Sequence, residues 1–189
     1  MLDEVLLILK GKLNQYLKLM TRSPDDTVVF LDGSKTEPLL LPLDRVTLLL
    51  INIEEEKIIR QASRHNGHIK NGLQTDLNPA IGINMTVLFV PRFSDYEQTL
   101  KFMSLIISYF QRFPVLTSYN TPALPDTIEQ IGIELVTMPI AQQNEIWSSL
   151  RTTYLPSVVY KIGVLVYSDD TSVETAAELQ IAQLKTATL

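Results

Sequence analysis

The stretch from Ile146 to Tyr167 limits the fold of this chain more than any other. A helix end carrying Trp147 runs through Tyr154-Leu155-Pro156-Ser157 into the apolar run Val158–Tyr167. Pro156 has no N–H to donate and its ring clashes with a preceding helical turn, so the helix stops before it. The Val, Ile and Tyr side chains that follow suit a pleated, half-buried surface. A helix feeding directly into a long apolar strand calls for a layered protein in which helices cover a sheet.

The remaining segments extend that pattern. Leu2, Val5, Leu6, Leu9, Leu13, Tyr16, Leu17 and Met20 recur at three- and four-residue steps, which predicts an amphipathic helix over residues 2–20. Asp3 and Glu4 stand where the positive helix end favours carboxylates, and Ser23-Pro24-Asp25-Asp26 stops the helix. Leu7 and Ile8 fall outside the stripe, so the helix is expected to touch more than one neighbour. Thr27–Leu31 reads as a short strand closed by the turn Asp32-Gly33-Ser34-Lys35.

Leu43–Ile53 is apolar on both sides, which predicts a central strand covered on two faces and leaving the core at Glu54-Glu55-Glu56. A polar loop spans 61–80, with Asn66-Gly67, Asn71-Gly72 and Asn78-Pro79. Ile81–Pro91 is the next strand, and Ser94-Asp95-Tyr96-Glu97 fits a capping box. The helix it opens is expected to bury Leu100, Met103, Ile106, Ile107 and Phe110 and to end at Phe113, before Pro114. Short strand Val115–Thr117, strand Ile128–Met138, a helix from Pro139 to about Leu150 and strand Val158–Tyr167 follow. Thr171-Ser172-Val173-Glu174 is a second capping-box match, heading a weak helix with Val173, Ala177, Ile181 and Leu184. The fold class is therefore α/β (α+β), one domain over 1–170 with a helical arm or tail over 171–189.

Composition narrows the function. With 46% hydrophobic residues the chain has the means to bury a core. A formal charge of −5 argues against a general duplex-DNA binder, which needs excess Lys and Arg to displace counterions. The nearest candidate for a membrane span, Phe102–Phe113, is broken by Ser104, Ser108, Gln111 and Arg112. The acidic opening Met1-Leu2-Asp3-Glu4 has the wrong sign for a signal peptide, and the absence of cysteine suits the cytoplasm.

Catalytic patterns are scarce. His65 and His68 are the two histidines, both in the polar loop, and no Gly-x-Ser-x-Gly elbow is present. Asp32-Gly33-Ser34-Lys35 lacks the spacing of a phosphate-binding loop. Glu54-Glu55-Glu56 and Asp169-Asp170 read as solvated charge at strand ends. Neither a cofactor nor a metal is expected. Lys57, Arg60, Arg64 and Lys70 form a small basic cluster that, with Val173, Ile181 and Leu184 of the tail, makes the candidate set of partner contacts. Trp147 with Tyr154 reads either as core or as an interface anchor, and core is the expectation.

Three segments carry a resemblance. They are Val46-Thr47-Leu48-Leu49-Leu50-Ile51-Asn52-Ile53-Glu54-Glu55; Asn84-Met85-Thr86-Val87-Leu88-Phe89-Val90-Pro91 with Asp95-Tyr96-Glu97 and Tyr109-Phe110-Gln111; and Ile146-Trp147 with Tyr154-Leu155-Pro156-Ser157-Val158-Val159-Tyr160-Lys161. In this order they resemble the N-terminal domain of the tail-terminator, or cap, proteins of extracellular contractile injection systems, the phage-tail-like particles of the antifeeding-prophage type. The resemblance implies a mixed, mostly antiparallel sheet flanked by helices and a structural role without catalysis. It implies partners as well: other copies of the chain in a six-fold ring, the inner-tube protein and the sheath protein, with neither membrane nor nucleic acid. The chain would be cytoplasmic during assembly and then part of the particle. A baseplate or sheath-connector subunit is the alternative, and a small-molecule enzyme using the acidic clusters is the third reading.

Overall fold

The computed structural model describes residues 1–32, 39–56, 69–70, 73–74 and 81–166. In chain order the elements are α1 (Leu2–Thr21), β1 (Val28–Val29), β2 (Arg45–Glu55), β3 (Ile69–Lys70), β4 (Leu73–Gln74), β5 (Ile81–Arg92), α2 (Tyr96–Arg112), β6 (Val115–Thr117), β7 (Ile128–Val136), α3 (Ile140–Ser149) and β8 (Val158–Val166). Six strands form one sheet in the order β1-β2-β5-β8-β7-β6, and β3 and β4 pair separately inside the expected loop. Every pairing in the large sheet is antiparallel except β1 with β2. The mixed sheet flanked by helices is the fold class the sequence implied.

The helices obey local rules, with two corrections. α1 ends one residue later than expected, on Arg22 in the left-handed conformation (φ 56°), and Pro24 follows. α2 is capped by Asp95, whose side chain accepts from the Glu97 N–H at 3.0 Å. The expected capping box headed by Ser94 does not form. The Asp95 carboxylate, one residue later, accepts from a first-turn N–H, and Ser94 instead donates to Asp44 Oδ1 through both its N–H and its hydroxyl. The buried stripe also differs from the expected one, although Ile106 and Phe110 belong to both. Thr99, Phe102, Ile106, Tyr109 and Phe110 are buried, while Leu100 is exposed. In α1, Met20 likewise turns to solvent, and Asn14 takes a buried place among the leucines.

Strand alternation sorts the core into two layers. Val46 and Leu48 of β2, Met85, Val87 and Phe89 of β5, Ile131 and Ile133 of β7, and Tyr160, Ile162 and Val164 of β8 share one face. Val5, Leu9, Leu13 and Leu17 of α1 and Phe102, Ile106, Tyr109 and Phe110 of α2 cover it. Leu49, Leu88, Val90 and Val159 point the other way and meet Trp147 of α3 and Leu41. Trp147 is thus core, as expected, and Tyr154 packs edge-on against it at 5.8 Å between ring centroids.

β2 was expected to be central. It stands second from the edge, but both of its faces are covered around Leu48 and Leu49, which satisfies its two-sided apolar pattern. A bulge between Leu50 and Asn52 then changes its phase, so that Asn52 lies opposite Thr86 and Glu54 opposite Asn84. Without the extra residue, Asn52 would point into the helix-covered layer. The bulge keeps polar groups out of the core.

Tyr109 and Tyr160 are buried in the larger layer, and burial pushes both phenols up to about 12. An unfolded tyrosine ionises near pH 10, so between about pH 10 and pH 12 the unfolded chain holds fewer protons than the folded one. The stabilisation is complete below pH 10 and is lost as pH rises. Urea midpoints measured at pH 8.5 and pH 11 are expected to fall steeply with pH. The fall should be smaller in Tyr109→Phe and Tyr160→Phe; an unchanged slope in both would contradict the assignment.

Candidate interaction surface

The second sheet face is covered over only part of its length by the α3 layer. Beyond Leu88 and Val159, the register sets polar residues and glycines side by side across three strands. Thr86, Lys161 and Glu134 form one row, Asn84, Gly163 and Gly132 the next, and Gly82, Leu165 and Gln130 the third. These last two rows, with Glu56, line a trough of about 200 Å³.

Its polar groups hold one another in place. Asn84 Nδ2 donates to Glu56 Oε2 at 2.7 Å, and Lys161 Nζ lies 3.8 Å from the same oxygen. Beyond that, Asn52 Nδ2 donates to Glu54 Oε1 at 2.8 Å. An amide and an ammonium group thus converge on one carboxylate oxygen of Glu56.

The glycines set the shape. Gly132 and Gly163 are directly paired across β7 and β8. A Cβ at Gly163 would press on Asn84 Oδ1 at 3.3 Å, whereas one at Gly132 would meet only the Gly163 carbonyl, at 3.9 Å. Packing among the described residues therefore explains Gly163 and gives no cause for Gly132. Glycine inside a strand weakens it and lays the backbone open to close approach.

Of the candidate contact residues read from the sequence, Lys70 alone falls on a described element. Lys57, Arg60 and Arg64, and Val173, Ile181 and Leu184 of the tail, lie outside the described residues. Lys70 is the last residue of β3, and its side chain is not described. His65, His68, Asp169, Asp170 and the turn Gly33-Ser34-Lys35 also lie outside. Among the described residues no group of three or more His, Asp or Glu side chains is placed to hold a metal ion. No helix among them is long and apolar enough to cross a membrane.

The trough itself was not anticipated. Its signal was present as single glycines inside three apolar runs, at Gly82, Gly132 and Gly163, each an interruption of a strand pattern. That the three converge follows from strand order, which periodicity does not supply.

A family model described as the Pvc16 N-terminal domain matches residues 4–179. Among solved structures, the chain is similar to one described as "Cryo-EM Structure of an Extracellular Contractile Injection System, PVC sheath/tube terminator in extended state". The identity is 15% and the TM-score 0.47, over 84% of this chain and 56% of that one. The chain thus spans little more than half the length of that terminator. No curated protein matches it.

Proposed function

The chain belongs to the Pvc16 N-terminal domain family, and from that membership we propose that it is a structural terminator of a contractile injection particle. In this reading it closes into a six-fold ring on the distal end of the inner tube, halts tube growth and contacts the last layer of sheath. The observation that carries the reading is the family match over residues 4–179, which takes in all three segments of the sequence resemblance. The trough supports it, since a recess lined by glycine backbone, an amide and paired charge suits a protein partner. The basic cluster Lys57, Arg60, Arg64 and Lys70 and the tail residues Val173, Ile181 and Leu184 are proposed as contacts with neighbouring subunits or tube.

Physically, a terminator must offer one adhesive face to the tube and no copy of the polymerising surface on the other. Head-to-tail contacts between its own copies close into a ring only where the rotation per subunit closes; otherwise they extend into a filament. The test is direct. Purified chain added to assembled tubes is expected to appear by electron microscopy as a ring on one end of each tube and to stop further elongation. Binding along tube walls, or tubes that keep growing, would refute the proposal.

A further inference from the structure

Among the described residues, α1 has one filled flank and one open one. On the filled side Tyr16 packs against Tyr109 with ring centroids 5.0 Å apart, and Lys12 Nζ donates to the Asn120 carbonyl at 2.9 Å. On the other side, toward β1, a groove of about 390 Å³ runs along the helix. Leu7, Lys10, Gly11, Gln15 and Lys18 line it from α1, with Asp26 on the far wall. Leu7 is 53% exposed, and a Cβ at Gly11 would meet nothing within 4 Å. A glycine in a helix interior is costly, and nothing among the described residues calls for this one.

Charge is divided unevenly over the molecule. From Val5 to Arg22, α1 and its cap carry Lys10, Lys12, Lys18 and Arg22 and no acidic residue. From Phe113 to Leu150, which takes in β6, β7 and α3, the chain carries Asp126, Glu129, Glu134 and Glu145 and no Lys or Arg. All four of these acids are exposed, and Leu135 among them is 46% exposed. The acidic segment lies at the β6 end of the strand order, while the groove lies beside β1 at the other end. Lys18 is tied to Asp26 at 2.8 Å and Lys10 sits over the Phe30 ring at 5.0 Å. An ammonium group has three donors, so each lysine keeps capacity for a further acceptor.

From this we infer that the α1 groove receives the acidic β7–α3 edge of a second copy, so that successive copies join head to tail. The inference rests on the ring reading above and names its subunit contact. Leu7 supplies apolar area, Lys10 and Lys18 face Glu129 and Glu134, and Gly11 lets the neighbour approach the helix backbone. Opposite charge across such a contact fixes register and rejects wrong partners.

The experiment uses two charge-reversed forms of the full chain. One carries Lys10→Glu and Lys18→Glu, the other Glu129→Lys and Glu134→Lys. Each alone places like charges at every subunit contact, and sedimentation is expected to show its ring population reduced about tenfold or more. Mixed one to one, the two forms can alternate around an even-numbered ring with every contact complementary, so assembly should return. Circular dichroism establishes that each is folded. Should the first form fail to fold, Lys10→Gln with Lys18→Gln takes its place and is expected to weaken the ring without reversing it. Wild-type rings that neither variant weakens, or a mixture of folded variants that does not recover, would overturn this contact and leave the terminator proposal standing. Wild-type protein that stays monomeric even with tube ends present would overturn both.

Discussion

Replacing Phe89 by alanine is expected to destabilise the protein by about 3–5 kcal/mol, the range for removing a large aromatic from a close-packed core. Phe89 lies at the middle of the helix-covered layer and is fully buried. Its ring centroid stands 5.4 Å from that of Phe110 on α2 and 5.9 Å from that of Tyr160 on β8, while Phe110 and Tyr160 are themselves 4.8 Å apart. The three rings join a helix to two central strands, so the cavity left by alanine would border all three elements. Collapse around it is resisted because β5 is paired on both sides. Urea unfolding should show a midpoint far below wild type with a similar slope. A loss under about 1 kcal/mol would mean that this cluster is not the centre of the core.

A second large effect is expected at Asn14, where the penalty is polar. This side chain is 4% exposed and closes three hydrogen bonds between α1 and the edge of the sheet. Its Oδ1 accepts the Thr27 and Val28 N–H groups at 2.9 and 2.7 Å, and its Nδ2 donates to the Val28 carbonyl at 3.0 Å. β1 pairs with β2 through only two residues, Val28 and Val29, so Asn14 acts as the missing neighbour on its outer side. Asn14→Ala strands buried backbone groups, each costing about 1–3 kcal/mol, and a total of roughly 3 kcal/mol or more is expected. Asn14→Asp separates the two roles. The carboxylate would still accept both N–H groups but would set an oxygen against the Val28 carbonyl, which favours the protonated acid and raises its folded pKa. That variant should therefore be most stable at low pH and lose stability as pH rises, a trend opposite in sign to ordinary acid unfolding. A pH profile parallel to wild type would contradict the geometry.

These two positions show which parts of the fold were legible in the sequence. Phe89 sits in a run where Met85, Val87 and Phe89 alternate with Thr86, Leu88 and Val90, and period-two patterning assigns both sides of such a strand without reference to the rest of the chain. Asn14 lies inside a leucine-rich helix, where an amide is read as solvent-facing. Its burial depends on which strand passes beside it, a long-range fact. The cap of α2 failed for a different reason. Ser94 and Asp95 both fit the chemistry of an N-cap, and the competing partner Asp44, fifty residues earlier, decides between them.

The interaction surfaces were harder to foresee than the core. The bulge at β2 shifts Asn52 and Glu54 to the trough side, and Gly132 meets Gly163 only because β7 and β8 are neighbours. Neither is visible to a pattern read along one segment. The groove beside α1 had a partial signal, since Leu7 fell outside the buried stripe and Gly11 interrupted a good helix former. Which side of the helix would remain open depended on where β1 and the loop after β6 docked.

Tube length in assembled particles bears most directly on the central claim, that this chain ends the growth of a polymer and transforms no substrate. Particles produced with the coding sequence intact are expected to have a narrow length distribution with ringed distal ends. Those produced without it should show bare ends and tubes of irregular or extended length, restored when the chain is supplied again. Particles of normal, uniform length made in its absence would contradict the account.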